Sequence, residues 1–327
     1  MKIKKLSSAA LLAALMLSPL SLQAAEGGSS VYLPGFIGPQ AGMVPEAGNY
    51  FQYTYYNYDG QVSGSAKRSF ALGPGGGVVV TAGASAKLDL DLTANVFTYT
   101  HIFEKKLWGG SPGIGIAVPY VTADLTAAGT FTINNVPVVS GRRTAEATGI
   151  GDTSVTGLIG WHHGYWHYGA LANVYIPTGK YDKNDALNVG MNRWALQPMG
   201  TLTYLNETNG IEVSTALGFT FNRENHATNY KSGNEMNLEL ALIQHLSQKF
   251  HLGVVGYHYK QLSGDSGSGA VLGDFKGRIN GLGAVIGGAI PMGGSNMLYI
   301  NTRYYKESGA KNRFEGDALY VSASMKF

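Results

Sequence analysis

The clearest pattern in the chain is an alternation of apolar and polar positions with a period of two. In the last segment one side carries the apolar residues Leu319, Val321, Ala323, Met325 and Phe327, and the intervening positions are mostly polar. Successive side chains of a β-strand point to opposite faces, so this segment predicts a strand with one apolar face. An apolar face toward lipid and a face of small and polar residues toward a water-filled lumen are typical of an outer-membrane barrel.

The recurrence of this pattern predicts a transmembrane antiparallel up-and-down β-barrel over residues 48–327, an all-β fold. It has about twelve strands, and fourteen stay possible because the second segment is long enough to hide another hairpin. The predicted strands are 48–58, 79–103, 112–123, 151–162, 165–177, 193–205, 210–221, 235–246, 250–260, 274–290, 296–306 and 317–327. Long polar connections alternate with short ones, as external loops alternate with periplasmic turns. The long connections are expected at 59–77, 124–149, 178–192, 222–234, 261–273 and 307–315.

Two segments precede the predicted barrel. Residues 1–25 have a positive start, an apolar stretch and small residues near Ala24 and Ala25, which together predict a cleavable export signal. Residues 26–47 are too interrupted by Gly and Pro to form a strand and too apolar for a bare linker. They are expected either as a periplasmic tail or as a plug inserted into the lumen. The candidate plug residues are Tyr32, Phe36 and Ile37.

Composition excludes several classes of function. Charged residues make up only 14% of the chain. Three lysines within the predicted signal account for the formal net charge of +3, so the mature chain has a net charge near zero. A mature chain without net charge argues against nucleic-acid binding, which needs a basic surface. The absence of Cys excludes disulfides, thiolate–metal sites and a lipoprotein anchor. The same composition also fits a Gly-rich secreted β-sandwich, which remains an alternative.

Charged residues on the inner face are the candidates for a constriction. Alternation places Glu212, Glu239, His258 and Arg303 in the lumen, where charges are costly unless they are paired or hydrated. They either cross-link the interior or line a water path. The sequence predicts no metal site, no cofactor and no catalytic residue. A hydrolase that uses Ser263 and His258 is a less favoured alternative, because a nucleophile needs a base within hydrogen-bond reach.

Several local motifs, in this order and spacing, resemble the family of outer-membrane proteins associated with the meta-cleavage pathway of phenol degradation. They are GIGD at 149–152, PTGKY at 177–181, NVGMNRW at 188–194, FNRENHATNYKSG at 221–233, GYHYKQ at 256–261, RYYKE at 303–307 and NRFEG at 312–316. The resemblance implies a barrel akin to transporters of hydrophobic compounds and a role in the uptake of aromatic compounds. Fold alone does not determine function.

The residues that carry the resemblance lie mostly at predicted outer rims and loops. Candidate external ligand contacts among them are Asn222, Glu224, Asn225, Thr228, Tyr230, Gln261 and Asp265. The alternative is that these side chains anchor the loops by hydrogen bonds to the backbone, as Asn, Asp and Thr commonly do.

The sequence therefore predicts a monomeric channel in the outer membrane of a Gram-negative bacterium. Its partners are expected to be the lipid bilayer, lipopolysaccharide, a small hydrophobic or aromatic solute, and the outer-membrane assembly machinery, which reads the terminal Phe327. The predicted function is passive uptake of small hydrophobic or aromatic compounds. A non-conducting structural or adhesive barrel is the main alternative.

Overall fold

The computed structural model describes residues 30–72, 78–247, 249–270, 274, 276–293 and 296–327, so the predicted export signal lies outside the described residues. The strands are β1 (Gly48–Leu72), β2 (Val78–Ile102), β3 (Ser111–Ile133), β4 (Val136–Ile150), β5 (Thr153–His163), β6 (Trp166–Ile176), β7 (Ala195–Asn206), β8 (Ile211–Asn222), β9 (Glu235–Ser247), β10 (Phe250–Gln261), β11 (Arg278–Gly293), β12 (Asn296–Lys311) and β13 (Glu315–Lys326). Within these ranges no helix is long and apolar enough to cross a membrane.

The strands form a closed antiparallel barrel. Strands that follow one another along the chain pair with each other, except β4 and β5, and β1 closes the sheet by pairing with β13. β4 and β5 lie along the same side of β3, with Tyr120 opposite Ile150 and Ala117 opposite Ser154. The predicted twelve-stranded barrel is confirmed, with β4 as an additional strand that continues β5 upward beyond a break at residues 151–152. The fourteen-stranded alternative is wrong, because β2 is one continuous strand.

Two connections that were predicted as loops are strands instead. β1 and β2 stay paired up to Leu72 and Val78, and β3 and β4 stay paired up to Ile133 and Val136. Alternation continues through 59–65 and 124–149, but with the apolar residues facing inward. The prediction looked for apolar residues on the outside, which is the rule only at the level of the lipid. Likewise, β12 extends to Lys311 into the predicted loop 307–315.

A transverse row of acidic residues marks the upper limit of the lipid-facing band. Asp59, Asp91, Asp124 and Glu146 are directly opposite one another on β1 to β4, and Asp317 of β13 is opposite Asp59. We call this row the acidic rung. Carboxylates are costly in hydrocarbon, and like charges opposite each other are destabilising, so the acidic rung must lie in water or among headgroups. Below it, β1 provides residues 48–58, a length sufficient to span a bilayer.

The lumen has two unlike walls, whereas the sequence predicted a polar lumen throughout. The inward positions of β2 and β3 are apolar: Leu90, Leu92, Ala94, Val96, Val121, Ala123 and Leu125. The inward positions of β7 to β9 are mainly polar, with Met199, Ala216 and Ile243 among them; the polar ones include Gln197, Thr203, Glu212, Ser214, Glu235, Asn237 and Glu239. A solute in the upper lumen therefore meets an apolar wall on one side and a wall of hydrogen-bonding groups on the other.

The predicted inward orientation of His258 is wrong. Tyr257 and Tyr259 are buried on the inner face, so alternation turns His258 to the outer face of β10. There its Nδ1 atom lies 2.7 Å from Oδ1 of Asn280. The prediction took an ionisable side chain as the mark of the inner face, but the two tyrosines occupy that face.

Candidate functional site

The N-terminal segment, residues 30–47, lies inside the barrel, and Glu239 is its main attachment. The Glu239 carboxylate accepts hydrogen bonds from the backbone N–H groups of Gly35 at 2.8 Å, Ile37 at 3.1 Å and Gly38 at 3.4 Å, and from the Tyr32 hydroxyl. Burial, reinforced by the nearby carboxylate, raises the pKa of the Tyr32 phenol well above its ordinary value. The hydroxyl therefore stays protonated and remains a donor at neutral pH.

A second set of contacts holds the lower part of the segment. The N–H of Gln40 donates to Glu212 at 2.6 Å, and the N–H of Gly42 donates to the Thr203 hydroxyl at 2.9 Å. Position 42 runs so close to the wall that a Cβ there would lie 2.3 Å from the carbonyl oxygen of His167. Only glycine permits this approach of the backbone to the barrel.

The segment is also attached to the opposite side of the lumen. Arg303 donates to the carbonyl oxygen of Phe36 at 3.0 Å, and the Tyr320 hydroxyl donates to that of Pro34 at 2.9 Å. The segment thus crosses the lumen between the acidic wall and Arg303. Three of the four candidate constriction residues, Glu212, Glu239 and Arg303, contact it directly.

Above the segment lies a cavity of about 250 Å³ in the upper lumen. Tyr32, Leu33 and Pro34 of the N-terminal segment form its floor. Its side walls and roof are mainly apolar and include Tyr56, Tyr58, Leu90, Leu92, Ala94, Val121, Ala123, Leu125, Leu187, Val189 and Phe314. Of the candidate plug residues, Tyr32 lines the cavity, while Phe36 packs edge-on against the Tyr320 ring at 6.5 Å. Ile37 packs against a neighbouring cluster around Ala216.

The connection between β6 and β7 folds inward to cover the cavity, and Asp152 fastens it. Asp152 lies in the break between β4 and β5, and its two carboxylate oxygens accept hydrogen bonds from the N–H of Gly179 at 2.9 Å and of Met191 at 2.7 Å. Gly179 and Gly190 cross in direct contact, since a Cβ on Gly179 would lie 2.7 Å from the Cα of Gly190. The break in the strand thus positions the acid that holds the roof.

Two charged groups at the cavity wall, Glu307 and Arg313, contact tyrosine side chains, although the Nη1 atom of Arg313 has no hydrogen-bond partner among the described residues. Glu307 accepts hydrogen bonds from the hydroxyls of Tyr58 at 2.7 Å and Tyr257 at 2.8 Å, and from the N–H of Gly316 at 3.0 Å. The guanidinium of Arg313 lies 4.2 Å above the Tyr259 ring. These contacts leave aromatic and aliphatic surface toward the cavity.

The candidate external residues are brought together, mainly by hydrogen bonds among the loops. Asn225 accepts from Asn192 at 2.8 Å, and Asn222 donates to Glu235 at 2.9 Å. Gln261 donates to Asp265 at 2.6 Å, and the Tyr230 hydroxyl also donates to Asp265. Thr228 lines the cavity, and Glu224 lies in a separate outer pocket beside Trp194. These bonds favour loop anchoring, and ligand contact by this set stays a prediction.

The residues of the hydrolase alternative have separate partners. The Ser263 hydroxyl accepts from the N–H of Asn234 at 2.8 Å, whereas His258 lies on the outer face with Asn280. No hydrogen bond joins Ser263 to His258 in the structure as described. Among the described residues, no group of three or more His, Asp or Glu side chains is arranged to hold a metal ion.

The sequence analysis missed the cavity wall. Leu90, Leu92, Val121 and Ala123 were assigned to strands and Leu125 to a loop, and none of them was assigned a function. A signal was available, since apolar residues recur at every second position of both strands while carboxylates and threonines occupy the positions between them. Which of the two faces is internal could not be read from this pattern.

Comparisons with known proteins agree with this architecture. A family model described as "Putative MetA-pathway of phenol degradation" matches residues 76–323. A search of curated proteins gives no match. Among solved structures, the chain is similar to the COG4313 outer membrane channel from Pseudomonas putida F1, with a TM-score of 0.60 at 13% identity over 88% of this chain and 99% of that chain. A Pseudomonas aeruginosa FadL homologue aligns with a TM-score of 0.43 at 11% identity over 93% and 97% of the two chains.

Proposed function

The chain belongs to the family described as "Putative MetA-pathway of phenol degradation", and from this premise we propose that it is an outer-membrane channel for passive uptake of small hydrophobic or aromatic compounds. The observation that carries the proposal is the apolar cavity in the upper lumen. The structurally similar Pseudomonas putida protein is described as an outer membrane channel, which supports the same class of function. We propose that the protein acts as a monomer surrounded by lipid and lipopolysaccharide in the outer membrane of a Gram-negative bacterium.

The size and lining of the cavity favour an aromatic ring over a polar solute. Its volume of about 250 Å³ exceeds the roughly 150 Å³ of an apolar protein cavity that binds benzene. Burying apolar surface gains about 25 cal/mol per Å², so the aliphatic wall formed by β2 and β3 attracts such a ring. A sugar would have to give up most of its hydrogen bonds to water there, because the lining is mainly apolar and Glu307 already accepts from two tyrosine hydroxyls.

The N-terminal segment makes the lower part of this route narrow. It lies across the lumen below the cavity and is held by Glu239 on one side and Arg303 on the other. We propose that a solute rests on Tyr32, Leu33 and Pro34 and passes when these attachments loosen. Transport then follows the concentration gradient and needs no energy source within the barrel.

Uptake by intact cells tests the proposal. Cells that produce the protein should take up radiolabelled naphthalene faster than cells that carry an empty vector, because the lipopolysaccharide leaflet slows hydrophobic solutes. Uptake of arabinose should be nearly unchanged, since the cavity lining is mainly apolar. Equal naphthalene uptake by both strains would reject the channel and favour a structural or adhesive barrel.

The C-terminal residue supports a further expectation about assembly. Phe327 follows β13, its side chain is 64% exposed, and its N–H donates to the carbonyl oxygen of Asn49 at 3.0 Å. Since the ring is not packed into the barrel interior, the assembly machinery can bind it without competing with the lumen contacts of the folded protein. Deleting Phe327 should lower the amount of folded protein in the outer membrane severalfold, whereas Phe327→Tyr should retain it. Heat-dependent migration in gels measures the folded fraction, and equal folded amounts for all three proteins would contradict the expectation.

A further inference from the structure

The barrel wall does not end at the acidic rung on the side of β1 to β4. Above Asp59, β1 stays paired with β2, β2 with β3, and β3 with β4, up to the turn between Ile133 and Val136. β13 by contrast pairs with β1 only as far as Gln61 opposite Glu315. These paired strands form a four-stranded projection that stands above the lipid-facing band on one side of the lumen.

The projection has two chemically different faces. From the cavity upward, the rows of opposite residues on its inner face are Tyr58, Leu92, Ala123 and Ala147; then Gly60, Leu90, Leu125 and Ala145; then Val62, Leu88, Ala127 and Arg143; then Gly64, Ala86, Gly129 and Gly141. Rows on the outer face are Gln61, Asp89, Thr126 and Thr144, followed by Ser63, Lys87, Ala128 and Arg142. In these four rows the inner face is thus apolar and smooth, with one charge, while the outer face is polar.

The apolar inner face is continuous with the cavity. Leu90, Leu92, Ala123 and Leu125 belong both to its lower rows and to the cavity lining. Lipid does not explain this surface, because it stands above the acidic rung and faces the lumen axis. Contiguous apolar surface outside a membrane usually marks a binding region.

We propose that the inner face of the projection is an access track, on which small apolar solutes adsorb from the outside and along which they move down into the cavity. The inference rests on the proposed function and assigns to it a capture surface. Ala and Gly dominate the upper rows, so a planar ring finds a flat surface without a deep pocket that would hold it. A protein partner fits less well, because protein interfaces are anchored by clusters of large aromatic and Arg side chains, whereas above the cavity the inner face of β3 and β4 has only Phe131 and Arg143 of this kind, two rows apart.

Two adjacent alanines give a matched test. Ala127 faces the track between Leu88 and Arg143, whereas Ala128 faces outward between Lys87 and Arg142. Ala127→Lys and Ala128→Lys therefore add the same charge at the same height, each beside an existing cation, on opposite faces. Initial naphthalene uptake at low concentration should fall by roughly fourfold for Ala127→Lys, because the hydrated lysine side chain keeps the solute off this row, and losing apolar contact equal to one methylene group weakens binding by about fourfold. Uptake should be unchanged for Ala128→Lys.

The outcomes separate the track from the channel. Equal uptake by the two variants, whether reduced or unchanged, would overturn the access track. The proposed channel function would still hold in that case, provided that the unmodified protein takes up naphthalene. Absence of uptake by the unmodified protein would overturn both. If either lysine variant fails to show the heat-dependent migration of a folded barrel, Ala145→Lys on the inner face and Thr144→Lys on the outer face repeat the comparison on β4, with the same expected difference.

Discussion

Replacing Glu239 with Gln is expected to release the N-terminal segment and to open the lumen to ions. The carboxylate accepts hydrogen bonds from three backbone N–H groups and the Tyr32 hydroxyl. The NH₂ group of Gln is itself a donor and cannot accept, so part of these hydrogen bonds would be lost. Losing such charge-assisted bonds costs about 3 kcal/mol, which raises the population of the released state by roughly 100-fold. Conductance of the purified protein in planar bilayers should increase accordingly.

A control and an independent readout make this result specific. Glu146→Gln removes the same charge from the outer face, so its conductance should match that of the unmodified protein. The chain contains no Cys, so Ile37→Cys introduces a single thiol into the segment. A water-soluble thiol reagent should label it faster when Glu239 is also replaced. Unchanged conductance together with unchanged labelling would show that Glu239 does not hold the segment.

Strand alternation was sufficient to predict the barrel, because lipid imposes an apolar outer face at every strand that crosses it. It was not sufficient above the membrane. In 59–65 and 124–149 the outer face meets water, so polar residues such as Asp124 and Thr126 point outward and the apolar ones inward. The strands were therefore mistaken for loops, although their period was unchanged. The sequence contains the period of two, but the level of the membrane along each strand decides whether the apolar residues lie on the outer or the inner face.

The same reasoning explains which parts of the site could be predicted from the sequence. Alternation places Glu212, Glu239 and Arg303 on the inner face, where the structure has them. It gives no indication that Glu239 binds the N–H of Gly35, which is 204 positions away in the sequence. It also failed at His258, because the inner face of β10 carries Tyr257 and Tyr259. Partners across a lumen depend on the closed three-dimensional shape, and a local pattern does not contain that information.

Filling the cavity is expected to abolish most of the uptake of aromatic compounds while leaving the barrel folded. Ala123 is 2% exposed, lines the cavity from β3, and is surrounded by apolar neighbours. Ala123→Phe directs a phenyl ring into a space of about 250 Å³. Since a cavity of about 150 Å³ accommodates benzene, the added ring occupies the place proposed for the solute. Naphthalene uptake should fall by roughly tenfold, equivalent to about 1.4 kcal/mol of lost binding.

Thr122→Phe is the matched control, because the neighbouring position faces outward near the upper edge of the lipid band. Aromatic rings are favoured at that level, so this variant should fold and take up naphthalene as the unmodified protein does. The two variants differ only in the face that receives the same ring. If the cavity is the binding site, Ala123→Phe loses uptake at every naphthalene concentration at which Thr122→Phe retains it. Equal uptake by the two variants would instead place the solute route outside the cavity, because a solute that passes through the cavity cannot do so when a phenyl ring fills it.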